Sequence, residues 1–393
     1  HSIGAESMVP GNEGVMKPTI LFVVTTPFAV NAFLAGHLIA LSRHYHVVLC
    51  VNLQAYDLLP ALFNIAEVHH IPFARKPALS VDLKTLFQLL KVVRKAKPAV
   101  IHSITPKAGL LAMMAGFILR VPHRWHTFTG QIWVTRKGVK RYLLKALDRM
   151  IALLASRVFA ASASQCRLLG DEGVVRANEI GMLGSGSIAG VNLERFRPDV
   201  ANRDLLRRKN DTRANACVFL FVGRLARDKG VFDLVEAFRR VAATAPNVEL
   251  WVVGPDDEGV LGDLQRAAAG IDAPIHWLGA TPTPEHFMAA ADVLLLPSYR
   301  EGFGSVIIEG AACGIPAIAY RIDGVVDAIA DGSSGLLVQV GQPMALADAM
   351  KTLAEDDALR QRLGHQARRR AESSFSSQAV TDAWIDYYRS QLS

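Results

Sequence analysis

Residues 293–310 read VLLLPSYREGFGSVIIEG, and this stretch combines the three features that decide the fold. Val293–Leu296 is a short apolar run, which predicts a buried strand. The loop that follows is rich in glycine, so its backbone amides can approach a ligand closely. The residues from Ser305 onward predict a helix. A strand, a tight loop and a helix in this order are the building unit of a parallel sheet covered by helices.

The same unit recurs along the chain. Further strands are predicted at 20–25, 47–51, 100–102, 158–161, 218–222, 250–253 and 317–320. Helices are predicted at 32–43, 83–97, 108–120, 139–156, 231–243 and 305–313. Strands that are almost continuously apolar belong to sheets covered on both faces. We therefore expect α/β domains with doubly wound parallel sheets.

A break in the alternation of strands and helices, together with the distribution of charge, indicates two domains. The alternation stops in a Gly/Ser-rich stretch at 184–198 and resumes at Phe219. Residues 16–195 hold 22 Lys and Arg against 8 Asp and Glu, whereas residues 196–393 hold 21 against 26. The basic half predicts an anionic partner, with solvated basic helix faces as the alternative.

Composition excludes several classes of protein. The chain has 393 residues, of which 51% are hydrophobic and 20% charged, so it is not disordered. Its four cysteines are far apart, which argues against a disulfide framework or zinc site. The longest apolar run, Ala108–Leu119, is shorter than the ~20 residues of a spanning helix. We interpret residues 1–15 as an expression scar and Met16 as the native start.

The loops that follow strands should carry the ligand site, because parallel sheets bind ligands at the carboxyl ends of their strands. After the strand at 218–222 the chain reads GRLARDKG, residues 223–230, and then becomes helical. A helix N-terminus with Arg224 and Lys229 beside it suits a phosphate. An ordinary solvated loop is the alternative. The spacing is not that of a Walker loop.

The loop at 297–305 should face the same cleft. It carries Glu301, and Glu309 lies eight positions later on the predicted helix. Two carboxylates beside two phosphate-binding elements suit a ligand with both phosphates and hydroxyl groups. A nucleotide sugar fits this description.

At these residues the chain resembles the large retaining glycosyltransferase family of the GT-B fold, family 4 or "group 1", which builds bacterial polysaccharides and glycolipids. The resemblance covers nearly all of residues 18–390 and is most specific between 218 and 340. The matching motifs are Gly223-Arg224, Lys229-Gly230, Leu278-Gly279, Ala290–Val293, Glu301–Gly304, Glu309-Gly310, Cys313–Pro316, Gly335–Val338 and the linker Gly190–Phe196.

The resemblance implies a role for each matching residue. Arg224 and Lys229 would hold the donor diphosphate, Glu309 the ribose, and Glu301 the hydroxyls of the donor sugar. Glu301, Arg224 and Lys229 are therefore the expected catalytic group. The other expected donor contacts are Gly223, Gly279, Ala280, Phe303, Gly304, Ser305 and Val306.

The resemblance also implies an architecture and a reaction. The first domain would comprise residues 16–195 plus about 375–393, and the second residues 196–374, with the helix at 380–392 crossing back. The reaction would move a hexose or N-acetylhexosamine from a UDP-sugar to a polyprenyl-diphosphate-linked saccharide at the cytoplasmic membrane face, with retention of configuration. The leaving diphosphate would take the acceptor proton. We expect no cofactor and no metal, although Asp256-Asp257 is a tempting pair.

Other functions stay open at this point. A nucleotide-sugar epimerase or a phosphorylase of the same fold is one, although the predicted cleft lacks added acid/base groups and a cofactor lysine. Transfer to a soluble acceptor is another. Binding of nucleic acid by the basic half has no recognisable module to support it, and we expect none.

The first half departs from the family pattern. Its loop at 25–33 has no glycine pair, and Thr129 stands before Gly130 where many members have a histidine. His102 and His126 are the nearest histidines, either as strand-end residues or as catalysts. The candidate acceptor contacts are Asn31, His102, Lys107, Thr129 and Gly130.

The helix predicted at 139–156 is basic and amphipathic. We expect its apolar stripe to face the core, which leaves its cations free to meet anionic lipid. A solvated basic side without lipid is the alternative. The expected membrane contacts are Lys137, Lys140, Arg141 and Lys145, and the stripe is Val139, Tyr142, Leu143, Ala146, Leu147 and Met150.

Overall fold

The computed structural model describes residues 17–54, 56–74, 79–176, 179–245 and 247–392. The predicted scar and start, residues 1–16, lie outside these ranges. Two sheets form the frame. The strands of the first are β1 (Thr19–Val23), β2 (His46–Val51), β3 (Ala66–His70), β4 (Val100–Ser103), β5 (His123–Phe128), β6 (Arg157–Ala160) and β7 (Ile180–Gly181). Those of the second are β8 (Cys217–Val222), β9 (Val248–Val253), β10 (Ile275–Gly279), β11 (Val293–Leu296), β12 (Ala317–Tyr320) and β13 (Gly335–Val338).

Both sheets are parallel throughout, in the orders β3-β2-β1-β4-β5-β6-β7 and β10-β9-β8-β11-β12-β13. In each order the chain first runs to one edge and then returns to the middle, which is the doubly wound pattern. The predicted α/β fold with two such domains is confirmed. Its physical basis is the near-complete burial of central strands such as β1, β8 and β11.

Helices cover both sheets. In the first domain they are α1 (Pro27–Ala29), α2 (Ala35–Leu41), α3 (Pro60–Ile65), α4 (Leu79–Ala96), α5 (Pro106–Ile118), α6 (Gly138–Leu154) and α7 (Ala163–Asp171). From the linker onward they are α8 (Val200–Lys209), α9 (Val231–Thr244), α10 (Leu261–Ala267), α11 (Pro284–Ala290), α12 (Ser305–Ala312), α13 (Val325–Ala328), α14 (Pro343–Glu355), α15 (Asp357–Ser374) and α16 (Ser377–Leu392). A π-helical turn spans Val30–Leu34, and 3₁₀ turns span Ile132–Thr135 and Arg227–Lys229.

Two local expectations differ from the structure. The segment after β1, expected to be a loop, is helical from Pro27, because Thr26 caps α1 through its side chain and Pro27 occupies the first helical position. The strands β3, β7, β10 and β13 escaped detection because each lies at a sheet edge, where half-exposed positions break the continuous apolar pattern, as Glu67 and His69 do in β3.

The last helix, α16, returns to the first sheet. Trp384 stacks on the rings of His37 and His102, with centroids 4.4 and 5.2 Å apart. Tyr388 is fully buried, and its hydroxyl forms a 2.7 Å hydrogen bond with Nδ1 of His102. The end of the chain therefore completes the core of the first domain.

The linker and the returning segment run side by side. The Val191 N–H donates to the Phe375 carbonyl at 2.8 Å, and the Ser377 N–H donates to the Val191 carbonyl at 2.8 Å. The two crossings between the sheets are thus tied together by backbone hydrogen bonds. The domain limits at residues 195 and about 375 stay predictions.

Within the described ranges, no helix is both long enough and apolar enough to cross a bilayer.

Candidate active site

A cavity of about 370 Å³ lies between the two sheets, at the carboxyl ends of their strands; we call it the central cavity. Of the residues singled out in the sequence, it is lined by Thr129, Gly130, Gly223, Lys229, Glu301, Phe303, Gly304, Ser305 and Val306. Sequence reasoning missed a further set, made of Phe33, Ile104, Thr105, Ala161, Ile188 and Leu296. Several of these follow strands of the first sheet, which was the one available signal.

Lys229 and Glu301 form an ion pair in the wall of the central cavity. Nζ of Lys229 lies 2.6 Å from Oε1 of Glu301, and the two side chains are only 18% and 13% exposed. The loops that carry them are fixed against each other at Gly230, whose φ is +68°. A Cβ at that position would lie 1.9 Å from the Pro297 carbonyl oxygen, so only glycine fits.

The loop at 301–304 leads into the N-terminus of α12, whose first backbone amides border the cavity. From the other domain, the backbone of Gly130 reaches this loop. A Cβ on Gly130 would lie 3.0 Å from the Gly302 nitrogen, so the two backbones are in direct contact. The structure thus combines the positive end of a helix with a lysine, an arrangement suited to an anionic ligand.

Arg224 lies outside the lining of the central cavity. Its guanidinium is 3.5 Å from Asp257 and its side chain is 46% exposed. Asp256, the other half of the tempting acidic pair, accepts hydrogen bonds from the backbone N–H groups of Val260 and Leu261. No group of three or more metal-ligating side chains occurs among the residues that the structure describes.

Glu309 also lies outside that lining, in the second turn of α12. Burial raises the pKa of its carboxyl to about 7, the charge of Arg195 lowers it, and that of Glu285 raises it. Arg195 itself donates to Glu285 at 2.8 Å. A carboxyl with this pKa is present in both its protonated and its ionised form near neutral pH.

The predicted base contacts lie at the end of β10. Gly279 and Ala280 are exposed, and the Gly279 carbonyl accepts a 2.8 Å hydrogen bond from the Gly254 N–H. They do not line the central cavity.

Two predicted acceptor contacts, Asn31 and Lys107, are engaged within the first domain. The Asn31 amide donates to the Asp57 carbonyl at 2.9 Å and accepts from the Leu59 N–H at 3.1 Å, which holds the loop before α3. Nζ of Lys107 lies 2.8 Å from the Asp82 carboxylate of α4.

His102 does not reach the cleft, so the expected acceptor contact is wrong and the alternative of a strand-end residue holds. It is fully buried beneath α16, where its Nε2 bonds Thr127 at 2.8 Å and desolvation lowers its pKa to about 3. His126 is also fully buried, beside the Ser103 hydroxyl at 2.8 Å, and desolvation lowers its pKa to about 3. Both histidines are buried within their strands because helices cover this sheet on both faces, and Nδ1 of each forms a hydrogen bond.

The α6 helix is oriented opposite to the expectation. The predicted core stripe is exposed, with Val139 at 75% and Tyr142 at 73%. Arg141 and Lys145 instead face inward and bind the Glu172 carboxylate at 2.8 and 2.6 Å. They also lie over the ring of the buried Trp133, whose indole N–H donates to Asp148 at 2.8 Å. Lys137 and Lys140 are exposed.

Comparisons with known proteins match both halves of the chain. The family model described as "Glycosyl transferases group 1" matches residues 202–370, and the one described as "Glycosyl transferase 4-like domain" matches residues 32–186. Capsular polysaccharide biosynthesis glycosyltransferase CapM of Staphylococcus aureus is 31% identical over 82% of this chain and 85% of its own length.

Solved structures share the fold. Anabaena Alr3699/HepE in complex with UDP superposes with a TM-score of 0.79 at 21% identity, covering 95% of this chain and all of that one. The same protein in complex with UDP-glucose gives a TM-score of 0.76 at 20% identity, covering 95% of this chain and 99% of that one.

Proposed function

The chain belongs to the group 1 glycosyltransferase family, and from that premise we propose a specific reaction. It moves a hexose or N-acetylhexosamine from a UDP-sugar to a polyprenyl-diphosphate-linked saccharide, with retention of configuration and without a metal. The reaction takes place at the cytoplasmic face of the membrane.

The Lys229–Glu301 pair in the central cavity is the observation that carries the proposal. The pair sits beside the N-terminus of α12 and the backbone of Gly223, where a diphosphate meets several N–H donors and one cation. The solved structures of the same fold that hold UDP and UDP-glucose support uridine diphosphate as the carrier.

A bound donor competes with Glu301 for the lysine. The diphosphate brings more negative charge than one carboxylate, so it draws Nζ of Lys229 toward itself. The Glu301 carboxylate is then free to accept hydrogen bonds from hydroxyls of the transferred sugar. Because Glu301 is only 13% exposed, its charge acts in a weakly screened environment. Donor binding thus prepares the group that faces the reacting sugar.

Catalysis on this account is positioning and charge stabilisation. Lys229 and the α12 amides stabilise the leaving diphosphate as the glycosidic bond breaks. The same diphosphate accepts the proton of the attacking hydroxyl on the face from which it departs, which retains the anomeric configuration. Arg224 joins the diphosphate only if it leaves Asp257, which its exposure permits.

The proposal for the acceptor depends on the exposed surface of the first domain. The exposed face of α6 presents Val139, Tyr142, Leu143, Met150 and Leu153, which are between 46% and 75% exposed. An apolar stripe flanked by exposed lysines suits insertion at the boundary of headgroups and acyl chains. We therefore propose that this apolar face, with Lys137 and Lys140, holds the enzyme at the membrane where a lipid-linked acceptor resides. The capsule role in the name of the CapM relative agrees with such an acceptor.

A thermal-shift panel tests the donor. We expect UDP and one or more UDP-sugars to raise the melting temperature, GDP- and ADP-sugars to raise it much less, and EDTA to leave the UDP shift unchanged. Lys229→Ala should sharply reduce the shift, whereas replacing Lys209, an exposed lysine at the end of α8, with alanine should leave it unchanged. A larger shift with GDP- or ADP-sugars would contradict a uridine donor, and loss of the UDP shift in EDTA would contradict metal independence.

A further inference from the structure

The loop at 301–304, which we call the Glu301 loop, is held from both domains. On the side of the first domain it meets the beginning of α7, where the Ser162 hydroxyl caps the helix and accepts from the Gln165 N–H at 3.3 Å. The polar side chains of this turn are buried rather than solvated: Ser162, Ser164 and Gln165 are each at most 1% exposed. The reaction described above assigns no role to them.

Gln165 contacts the backbone of the proposed catalytic glutamate. Its amide nitrogen donates to the Glu301 carbonyl at 3.0 Å. The Ser162 hydroxyl lies 3.5 Å from the carbonyl oxygen of Gly302, the next residue of the loop. Two successive carbonyls of the Glu301 loop therefore accept hydrogen bonds from side chains at the start of α7. Carbonyl oxygens carry partial negative charge, so the positive end of a helix favours their approach.

Ser164 fixes a second segment of the second domain against the same turn. Its N–H donates to the Asp327 carboxylate at 2.9 Å, and its hydroxyl also donates to that carboxylate. The hydroxyl oxygen accepts from the Gly324 N–H at 2.6 Å. A Cβ on Gly324 would lie 2.6 Å from the Gly302 carbonyl oxygen. The segment that Ser164 holds therefore packs directly on the Glu301 loop.

Glu301 reaches the central cavity from this anchored backbone. Its carboxylate lies in the cavity wall, where Oε1 is 2.6 Å from Nζ of Lys229. The anchored carbonyl and the carboxylate belong to one residue, so a shift of the backbone also displaces the side chain. Misplacing a catalytic group by about 1 Å can lower a rate about a hundredfold. The hydrogen bond from Gln165 therefore bears on catalysis, although Gln165 does not line the central cavity.

We propose that Gln165 is a positioning residue for Glu301, whose backbone it holds so that the carboxylate faces the hydroxyls of the donor sugar. This inference rests on the proposed role of Glu301 in sugar transfer. Because Gln165 belongs to the first domain and Glu301 to the second, the carboxylate is held in place only while the two domains are in contact here. Ser162 and Ser164 maintain that contact. The first domain thus orients a group that acts on the donor sugar.

Turnover and UDP affinity of Gln165→Leu test this role. Turnover is measured as UDP release from UDP-hexoses and UDP-N-acetylhexosamines with water as the acceptor. Gln165→Leu keeps a side chain of similar size and removes the donor, so it should lower turnover roughly fivefold, as expected for one neutral hydrogen bond. In calorimetry it should bind UDP at least as tightly as the parent, because Lys229 and the α12 amides are unchanged.

Ser156→Ala is the matched control. The Ser156 hydroxyl accepts from the Arg124 N–H at 2.8 Å and donates to the Arg124 carbonyl at 3.1 Å, both within the first domain. Its loss should lower the melting temperature and leave turnover unchanged. A fall in turnover caused only by lower stability would appear in both Ser156→Ala and Gln165→Leu.

A double variant separates positioning from an independent effect. If Gln165 acts through the Glu301 carboxylate, removing that carboxylate removes the effect, so Gln165→Leu with Glu301→Gln should turn over as Glu301→Gln alone does. Hydrogen exchange measured by mass spectrometry adds a readout that needs no substrate. Gln165→Leu should speed exchange in the peptide 299–306, and Ser156→Ala should not.

The outcomes distinguish this inference from the donor proposal. Parent-like turnover in Gln165→Leu, or a double variant about fivefold slower than Glu301→Gln alone, would overturn the positioning role. Unchanged exchange in the peptide 299–306 would overturn it as well. If Gln165→Leu speeds that exchange but the parent protein does not bind UDP, the anchoring of the Glu301 loop stands and the proposed donor is wrong.

Discussion

The two sides of the central cleft are built by different means. On the second domain, backbone geometry forms the site: glycines at 230, 302 and 304 let two loops and a helix N-terminus converge on Lys229 and Glu301. On the first domain, the cleft is formed mainly by side chains whose direction depends on packing, and the notable polar ones, such as His102, turn inward. The sequence therefore locates cleft-lining residues where the backbone requires a particular residue, and it fails to locate them where the answer depends on which face of an element is buried.

Substitution of Gly230 should have the largest effect, because its backbone holds the two loops of the second domain together. Gly230→Ala should cost more than about 2 kcal/mol of stability, because it combines a left-handed backbone with a 1.9 Å approach to Pro297. Gly259→Ala is the matched control: its φ is +67°, but nothing lies within 4 Å of the added Cβ, so only the left-handed backbone costs stability, about 1–2 kcal/mol. Urea unfolding of both variants measures the difference. Equal midpoints would mean that the contact between the two loops is not a constraint.

The two glutamates should affect different steps. On the proposed mechanism Glu301 faces the sugar that changes during transfer and competes with the diphosphate for Lys229, so Glu301→Gln should bind UDP at least as tightly as the parent and lower turnover on the order of 10- to 100-fold. Glu309→Gln should instead weaken UDP and raise the donor KM. Calorimetry and steady-state kinetics measure both. The opposite pattern would reverse the two roles, and normal turnover in both would remove the carboxylates from the site.

The surface of α6 provides a test on the first domain. Replacing Val139, Tyr142 and Leu143 with serine should weaken binding to anionic liposomes on the order of tenfold or more, because exposed apolar area drives insertion. Lys137→Glu and Lys140→Glu should each weaken liposome binding by about 1 kcal/mol, and only at low salt. Arg141→Gln is the contrast: it breaks the contact with Glu172, so it should lower stability and leave liposome binding nearly intact. Release by Arg141→Gln alone would restore the original expectation for the helix.

The smallest expected effect is a pH dependence of donor binding. The family resemblance assigns Glu309 to the donor ribose, whose hydroxyls donate hydrogen bonds and would therefore bind its carboxylate rather than its protonated form. Because burial raises the pKa of Glu309 to about 7, the carboxylate is the major form above pH 7 and is lost below it. Affinity for a UDP-sugar should fall about tenfold from pH 8 to pH 6. In Glu309→Gln this pH dependence should disappear; if it persists, another group is responsible.

Sequence reasoning identified the parallel α/β fold and the two loops that face the central cavity, because apolar runs and glycine positions are local signals. It misjudged α6, since helical periodicity gives a stripe but not the direction in which that stripe faces. Inward-facing Arg141 and Lys145 are explained only by Trp133 and Glu172, which come from other segments. His102 was misplaced for the same reason: its burial depends on α16, which lies almost 300 residues later.

Calorimetric titration with UDP tests whether Lys229 binds the donor diphosphate in competition with Glu301. Lys229→Ala should weaken UDP tenfold or more, since a charge-assisted contact contributes about 1.5–3 kcal/mol and the unpaired Glu301 carboxylate then repels the diphosphate. The double variant Lys229→Ala with Glu301→Gln should recover part of that loss, because the repulsion is removed. A folded Lys229→Ala protein that binds UDP as the parent does would contradict the account, as would a double variant that binds more weakly than Lys229→Ala alone.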